Sequence, residues 1–248
     1  MAGHSKWKRI KHKKTVTDAR RGAHFTKLIR EITIAARAGG GDPAGNPRLR
    51  TAIDAAKNAN MPNDNIDRAI KKGTGALDVT YQELIYEGYG PGGAAILIQV
   101  TTDNPTRTVA EIRHIFDRRD GNLGSANSVA WMFDKKGQIL VNATKYQEDA
   151  TLEAALDAGA EDVVRDGDQY TITTEPSQLH AVLDAMKAKG IAADESEIAM
   201  IPKNTVKVEG ANVAKLIRLM EAVEEHDDVA KVFSNFDIDA ETLAAVEG

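Results

Sequence analysis

Apolar positions recur at three and four residues between His24 and Ala38, where Phe25, Leu28, Ile29, Ile32 and Ala36 line one stripe. That spacing predicts a helix, with Lys27, Arg30 and Arg37 largely off the stripe and Gly39-Gly40-Gly41 as its stop. Asn46-Pro47, a cap residue followed by proline at the first helical position, predicts a second, with Leu49, Ala52, Ile53 and Ala56 buried. Met61-Pro62 opens a third, with Ile66, Ala69 and Ile70 inward and Gly73 at its end. Three short helices with narrow apolar faces make a small, weakly buried bundle.

Beyond Gly75 the period changes to that of strands. Tyr81 to Gly88 and Ala94 to Thr101 read as two strands joined by the turn Gly88-Tyr-Gly-Pro-Gly-Gly93. A helix over Pro105 to Arg119 follows, with Val109, Ile112, Ile115 and Phe116 as its core face, then a strand over Ser128 to Phe133 that carries Trp131. From Gly137 the order is strand (Gln138 to Val141), helix (Glu148 to Ala158), hairpin (Asp162 to Arg165, Gln169 to Thr174), helix (Pro176 to Lys189) and strand (Ala192 to Met200). That β-α-β-β-α-β order is the ferredoxin-like split motif. Thr205 to Val208, a helix over Ala211 to Glu225 and a strand over Val229 to Phe236 supply what the unit at 80–134 lacks. The expected domains are therefore 1–75, 76–135 with 202–240, and an inserted 136–201.

Composition narrows the class. At 248 residues, 42% hydrophobic and 28% charged, the chain is that of a soluble protein of two or three domains. It contains no cysteine, which removes disulfides and thiolate metal sites and fits a reducing compartment. No apolar run approaches the ~18 residues of a membrane helix. The positive N-terminus has no apolar segment behind it, so it is not a secretory signal. The expectation is a cytoplasmic protein.

The net charge of −5 hides an asymmetry. Residues 1–75 hold 17 Lys and Arg against 6 acidic residues, whereas 76–248 hold 15 against 31. The excess concentrates at the start, where Lys6, Lys8, Arg9, Lys11, Lys13, Lys14, Arg20 and Arg21 face one acid, Asp18. His4 and His12 can add charge, and Trp7 sits inside the run. Like charge this dense repels itself in water and is relieved by a polyanion. Lysines and arginines here would neutralise phosphates with release of counterions. Trp7 either stacks on an unpaired base or anchors the arm, with Ile10, against the helices. Arg107, Arg113, Arg118 and Arg119 form a second basic set. Thr106 and Thr108 stand at that helix's N-terminus, where backbone donors favour an anion. The alternative there is solvation and capping.

Catalytic patterns are absent from the sequence. Gly88, Gly90 and Gly93 lead from strand to strand, not from strand to helix as a dinucleotide fingerprint requires. No phosphate loop, no Gly-x-Ser-x-Gly elbow and no zinc spacing among the six histidines is present. His114 and His180 read as surface or boundary residues. Glu221, Glu224, Glu225, Asp227 and Asp228 read as a solvated helix end. No enzyme activity, cofactor, metal or small-molecule substrate is expected. No heptad or other dimer signal is present, which favours a monomer.

Several segments together resemble the YebC-like family. They are Met1-Ala-Gly-His-Ser-Lys-Trp7, Ile10-Lys-His-Lys-Lys14, Phe25-Thr-Lys-Leu-Ile-Arg-Glu-Ile32, Asn58-Ala-Asn-Met-Pro62, Ile70-Lys-Lys-Gly73, Tyr86-Glu-Gly-Tyr-Gly90 and Thr102-Asp-Asn-Pro-Thr-Arg107. Lys8-Arg9 departs from the uncharged pair more usual there, and the added charge favours a polyanion. The resemblance implies an α+β, multidomain fold: an N-terminal three-helix domain, then two ferredoxin-like α/β domains, one inserted in the other. It implies a probable transcriptional regulator binding DNA, or, for some members, a translation factor acting on the ribosome. A flexible arm of Lys, Arg and His with one aromatic suits folded RNA, and no helix carries a plain cluster of base-reading Arg, Asn and Gln. DNA and ribosomal RNA both remain, as does a protein-interaction scaffold. The candidate contacts are Lys6, Trp7, Lys8, Arg9, Lys11, His12, Lys13, Lys14, Arg20, Arg21, Lys27, Arg30 and Arg107.

Overall fold

The computed structural model describes residues 18–75, 81–239 and 242. The fold is mixed α+β, with N-terminal helices followed by two four-stranded sheets and a two-stranded one. By compactness it divides into two units, one of Leu28–Ala76 with Lys135–Met200, the other holding the residues up to Lys27, Leu77–Asp134 and Ile201 onward.

Helix α1 (Asp18–Gly39) starts before the apolar stripe does, and α2 (Pro47–Asn58) and α3 (Asn63–Thr74) follow. Asn46 caps α2 through its Oδ1, which accepts from the Leu49 amide at 3.1 Å. Its Nδ2 donates to the carbonyls of Ala35 and Gly40 at 2.8 and 2.9 Å. One buried amide thereby joins the end of α1 to the start of α2. Gly73 stands at the end of α3, as the sequence predicts. It is buried inside the last turn, where an added Cβ would lie 2.3 Å from the Thr33 carbonyl and 2.9 Å from Ala36 Cβ. Glycine is needed there because α1 and α3 approach backbone to backbone. Helix α2 also meets the second half of its unit, with His180 Nε2 at 3.0 Å from Thr51 Oγ and 3.1 Å from the Pro47 carbonyl.

Strands β1 (Gln82–Tyr89) and β2 (Ala95–Thr102) pair antiparallel in unbroken register from Gln82↔Thr102 to Tyr89↔Ala95. The glycine-rich segment between them is a single 3-10 turn, Pro91–Gly93, so it joins strand to strand as its sequence predicts. Helix α4 (Pro105–Asp117) and the short β3 (Asn122–Leu123) come next. The expected strand over Ser128 to Phe133 is not formed. Ala130–Met132 is a 3-10 turn, and a long strand, β4, runs Phe133–Asn142.

Then come α5 (Glu148–Asp157), the hairpin β5 (Asp162–Asp166) and β6 (Gln169–Thr174), α6 (Leu179–Ala188) and β7 (Glu195–Pro202). Their sheet order, β5-β6-β4-β7, is that of the ferredoxin-like split motif. Its core holds Ile139, Val141, Tyr170, Ile172, Val182 and Met186. After β8 (Val206–Lys207), helix α7 (Ala211–Glu225) and β9 (Val229–Ser234) complete the other sheet, β3-β1-β2-β9. Ile96, Ile98, Ile112, Phe116, Leu216 and Met220 are buried between that sheet and helices α4 and α7. Phe236–Asp237, β10, leaves the predicted last strand to pair parallel with β8.

Candidate nucleic-acid interface

Of the basic residues named from sequence, Lys6, Trp7, Lys8, Arg9, Lys11, His12, Lys13 and Lys14 lie outside the described residues. Arg20 and Arg21 fall in the first turns of α1. Further along that helix, Lys27 Nζ donates to the carbonyls of Glu224 and His226, the latter at 2.8 Å. Those carbonyls end α7, where the helix dipole and unpaired acceptors draw a cation. Lys27 is thus a cap for α7. Arg30 is half-buried on the same helix.

The N-terminus of α4 shows what became of the expected anion site. Asn104 Oδ1 caps it by accepting the Arg107 amide at 3.1 Å. The anion is supplied from within, by Asp228. Its Oδ2 accepts from Thr108 Oγ1 at 2.7 Å, from Thr102 Oγ1 at 3.1 Å and from Arg107 Nη2 at 2.7 Å. Burial pushes the Asp228 carboxyl up, and the bonds from Thr108, Arg107 and Thr102 outweigh it, holding the group below its ordinary range. Arg107 also reaches Asp103 at 3.2 Å. Its guanidinium is therefore engaged within the fold, whereas Arg113 on the same helix and Arg118 just after it are exposed with no ion pair among the described residues.

A second buried carboxylate belongs to β1. Glu87 Oε2 accepts the amides of Val129 and Ala130, and Oε1 accepts that of Asn127, all at 2.7 Å. Burial raises its pKa and the three backbone donors outweigh that, so it too sits below the usual carboxylate range. Two residues on along the same strand face, Tyr89 Oη donates to the Ser128 carbonyl at 3.1 Å. Strand β1 so grips the segment 122–132 that carries Trp131. Sequence reading placed Trp131 in a strand. The signal that it was not one is the run Gly-Ser-Ala-Asn-Ser, 124–128, ahead of it, which favours turns.

Residues 5–76 match the family model described as the TACO1/YebC protein N-terminal domain, and residues 81–236 match that of the TACO1/YebC second and third domain. A protein of Gemmatimonas aurantiaca named "Probable transcriptional regulatory protein" is 59% identical over 245 residues, 98% of this chain and 99% of the relative. One of the same name from Acidithiobacillus ferrooxidans is 57% identical across 100% of this chain and 99% of its own length. The crystal structure of a conserved hypothetical protein from Aquifex aeolicus superposes with a TM-score of 0.85 at 46% identity, covering 93% of this chain and 96% of that one.

Proposed function

The chain belongs to the TACO1/YebC family, and from that premise we propose that it is a non-enzymatic, nucleic-acid-binding regulator of gene expression. The observation that carries the reading is the charge asymmetry. Seventeen of the 32 Lys and Arg lie in the first 75 residues, against 6 of the 37 acidic ones. A basic segment on an otherwise acidic protein is the electrostatic footprint of a phosphate-backbone binder, because each phosphate contact frees condensed counterions. The relatives' names, probable transcriptional regulatory proteins, favour a role in transcription, and DNA is the ligand that role suits. A non-enzymatic role is supported by the way the two buried carboxylates, Glu87 and Asp228, spend their lone pairs on the fold itself. Among the described residues no helix is long and apolar enough to cross a membrane. A role in gene expression, as the relatives' names describe, suits a cytoplasmic protein.

A second reading, an RNA-binding translation factor on the ribosome, is favoured by the arm's composition: cations and an aromatic in one short stretch suit phosphate contact and stacking. Sedimentation of a cell extract separates the two. Cofractionation with nucleoid DNA that is lost on DNase treatment supports the transcriptional reading. Migration with ribosomal particles in high magnesium, released by salt, supports the translational one. A protein that stays in the soluble fraction at low ionic strength contradicts both.

A further inference from the structure

The segment 122–132 is costly to build. A carboxylate that is 5% exposed must be kept ionised inside the fold to hold three amides, and a buried charge is tolerated only when hydrogen bonds replace its hydration. Asn127 takes a left-handed conformation, φ 65°, that non-glycine residues rarely adopt. A Cβ on Gly124 would lie 2.6 Å from Ser128 Oγ and 3.2 Å from Ser128 Cβ, so a side chain there would displace Ser128. The Ser128 carbonyl collects two side-chain donors, Tyr89 Oη at 3.1 Å and Trp131 Nε1 at 3.2 Å. Such devices cluster where a loop must hold one shape to act.

What the shape displays is an indole in water. Trp131 is 63% exposed, and its ring is tethered by its own N–H. With that donor spent, the ring offers surface and no polar handle. Among the described residues of this unit, the other exposed large apolar side chain is Ile85, which shares a strand face with Glu87 and Tyr89. A tryptophan and one isoleucine are too little for the core of a protein interface, which needs about 800 Å² from each partner. They suffice for one flat heterocycle. Ser125, Ala126 and Asn127, earlier in the same segment, are small and exposed.

We infer that Trp131 is a stacking platform for an unpaired nucleobase, a second contact point away from the basic arm in sequence and chemistry. The inference rests on the reading that this protein binds nucleic acid. A rigid, preorganised ring loses little conformational entropy on stacking, and stacking tolerates any base because every base has a π face. It adds affinity without adding phosphate contacts.

The chain has two tryptophans, so Trp7→Phe leaves Trp131 as its sole indole and keeps an aromatic in the arm. Titrating that variant with oligo(dT), oligo(U) and fully paired duplex should quench indole fluorescence with the single strands and leave it nearly unchanged with the duplex. Comparing the DNA and RNA strands shows which sugar the site accepts. Trp131→Ala should weaken single-strand binding about five- to 150-fold, the equivalent of ~1–3 kcal/mol, with the salt slope unchanged, and Trp131→Tyr should restore most of it. Binding that persists with Trp131 emission unquenched overturns this inference alone and leaves the basic arm standing. Absence of binding by the wild-type protein to every nucleic acid at low salt overturns the functional reading and the inference together. The quenching needs no loss of the ring, so it decides the matter even where Trp131→Ala fails to fold.

Discussion

Asp228 and Glu87 are buried to the same degree, each 5% exposed, and each holds a stretch of chain far from it in sequence. They differ in what they hold it with. Asp228 takes two hydroxyls and the exposed guanidinium of Arg107, and so ties the end of β2 to side chains in the first turn of α4. Glu87 takes three neutral amides and, in doing so, fixes a loop whose aromatic stays outside. One carboxylate internalises a charge site. The other builds a surface feature. Burial and depressed pKa are the same in kind for both, so neither property by itself marks a functional centre. The identity of the donors does.

The largest effect should come from Glu87→Ala, which strands three amides in a buried setting. At about 1–3 kcal/mol for each unsatisfied donor, relieved in part by water entering the loop, a loss of about 3 kcal/mol or more is expected in urea unfolding. Trp131 emission should report a loosened loop at the same time. Asp228→Ala should cost less, about 1–3 kcal/mol, because the exposed Arg107 can turn to water. Equal losses, or a larger one at Asp228, would remove the distinction between amide and cation donors.

Acid sharpens the likeness. Both carboxyls are depressed when folded, so their contribution is complete above the unfolded values, about 4, and is lost as pH falls through the folded ones. Stability measured downward from pH 5 should therefore fall, and Glu87→Gln with Asp228→Asn should flatten the slope. An unchanged slope would mean that other groups carry it. Salt gives the smallest effect and restores the contrast. Raising ionic strength should shrink the Asp228→Asn penalty, since Arg107 lies exposed, and leave that of Glu87→Gln almost unmoved.

Local signals carried most of the fold. Helix α7 runs from Ala211 to Glu225, as its apolar period predicts, and Asn46-Pro47 marks the start of α2. The misreadings share one cause, a partner distant in sequence. Val129, Trp131 and Phe133 alternate as in a strand, yet the Val129 amide that a ladder would use is taken by a carboxylate 42 residues earlier. Asp228 belongs to an acidic run that reads as solvated, and it is buried by contacts to Thr102, Thr108 and Arg107 more than 100 residues away. Apart from these misreadings, Lys27 and Arg107, expected as phosphate contacts from charge and position, also meet carbonyls and carboxylates that no local window shows. The arm was legible as charge alone, and charge is what the functional reading uses.

That reading is tested most directly by the salt dependence of binding. Wild-type protein and a variant with Lys6, Lys8, Arg9, Lys11, Lys13 and Lys14 all changed to Ala would be titrated against duplex DNA and ribosomal RNA across a salt series. The expected result is a log–log slope shallower by about 0.7–0.9 for each phosphate that the variant no longer neutralises, with affinity falling alike for all sequences. Unchanged affinity and slope for both ligands would contradict the assignment of nucleic-acid binding to the arm.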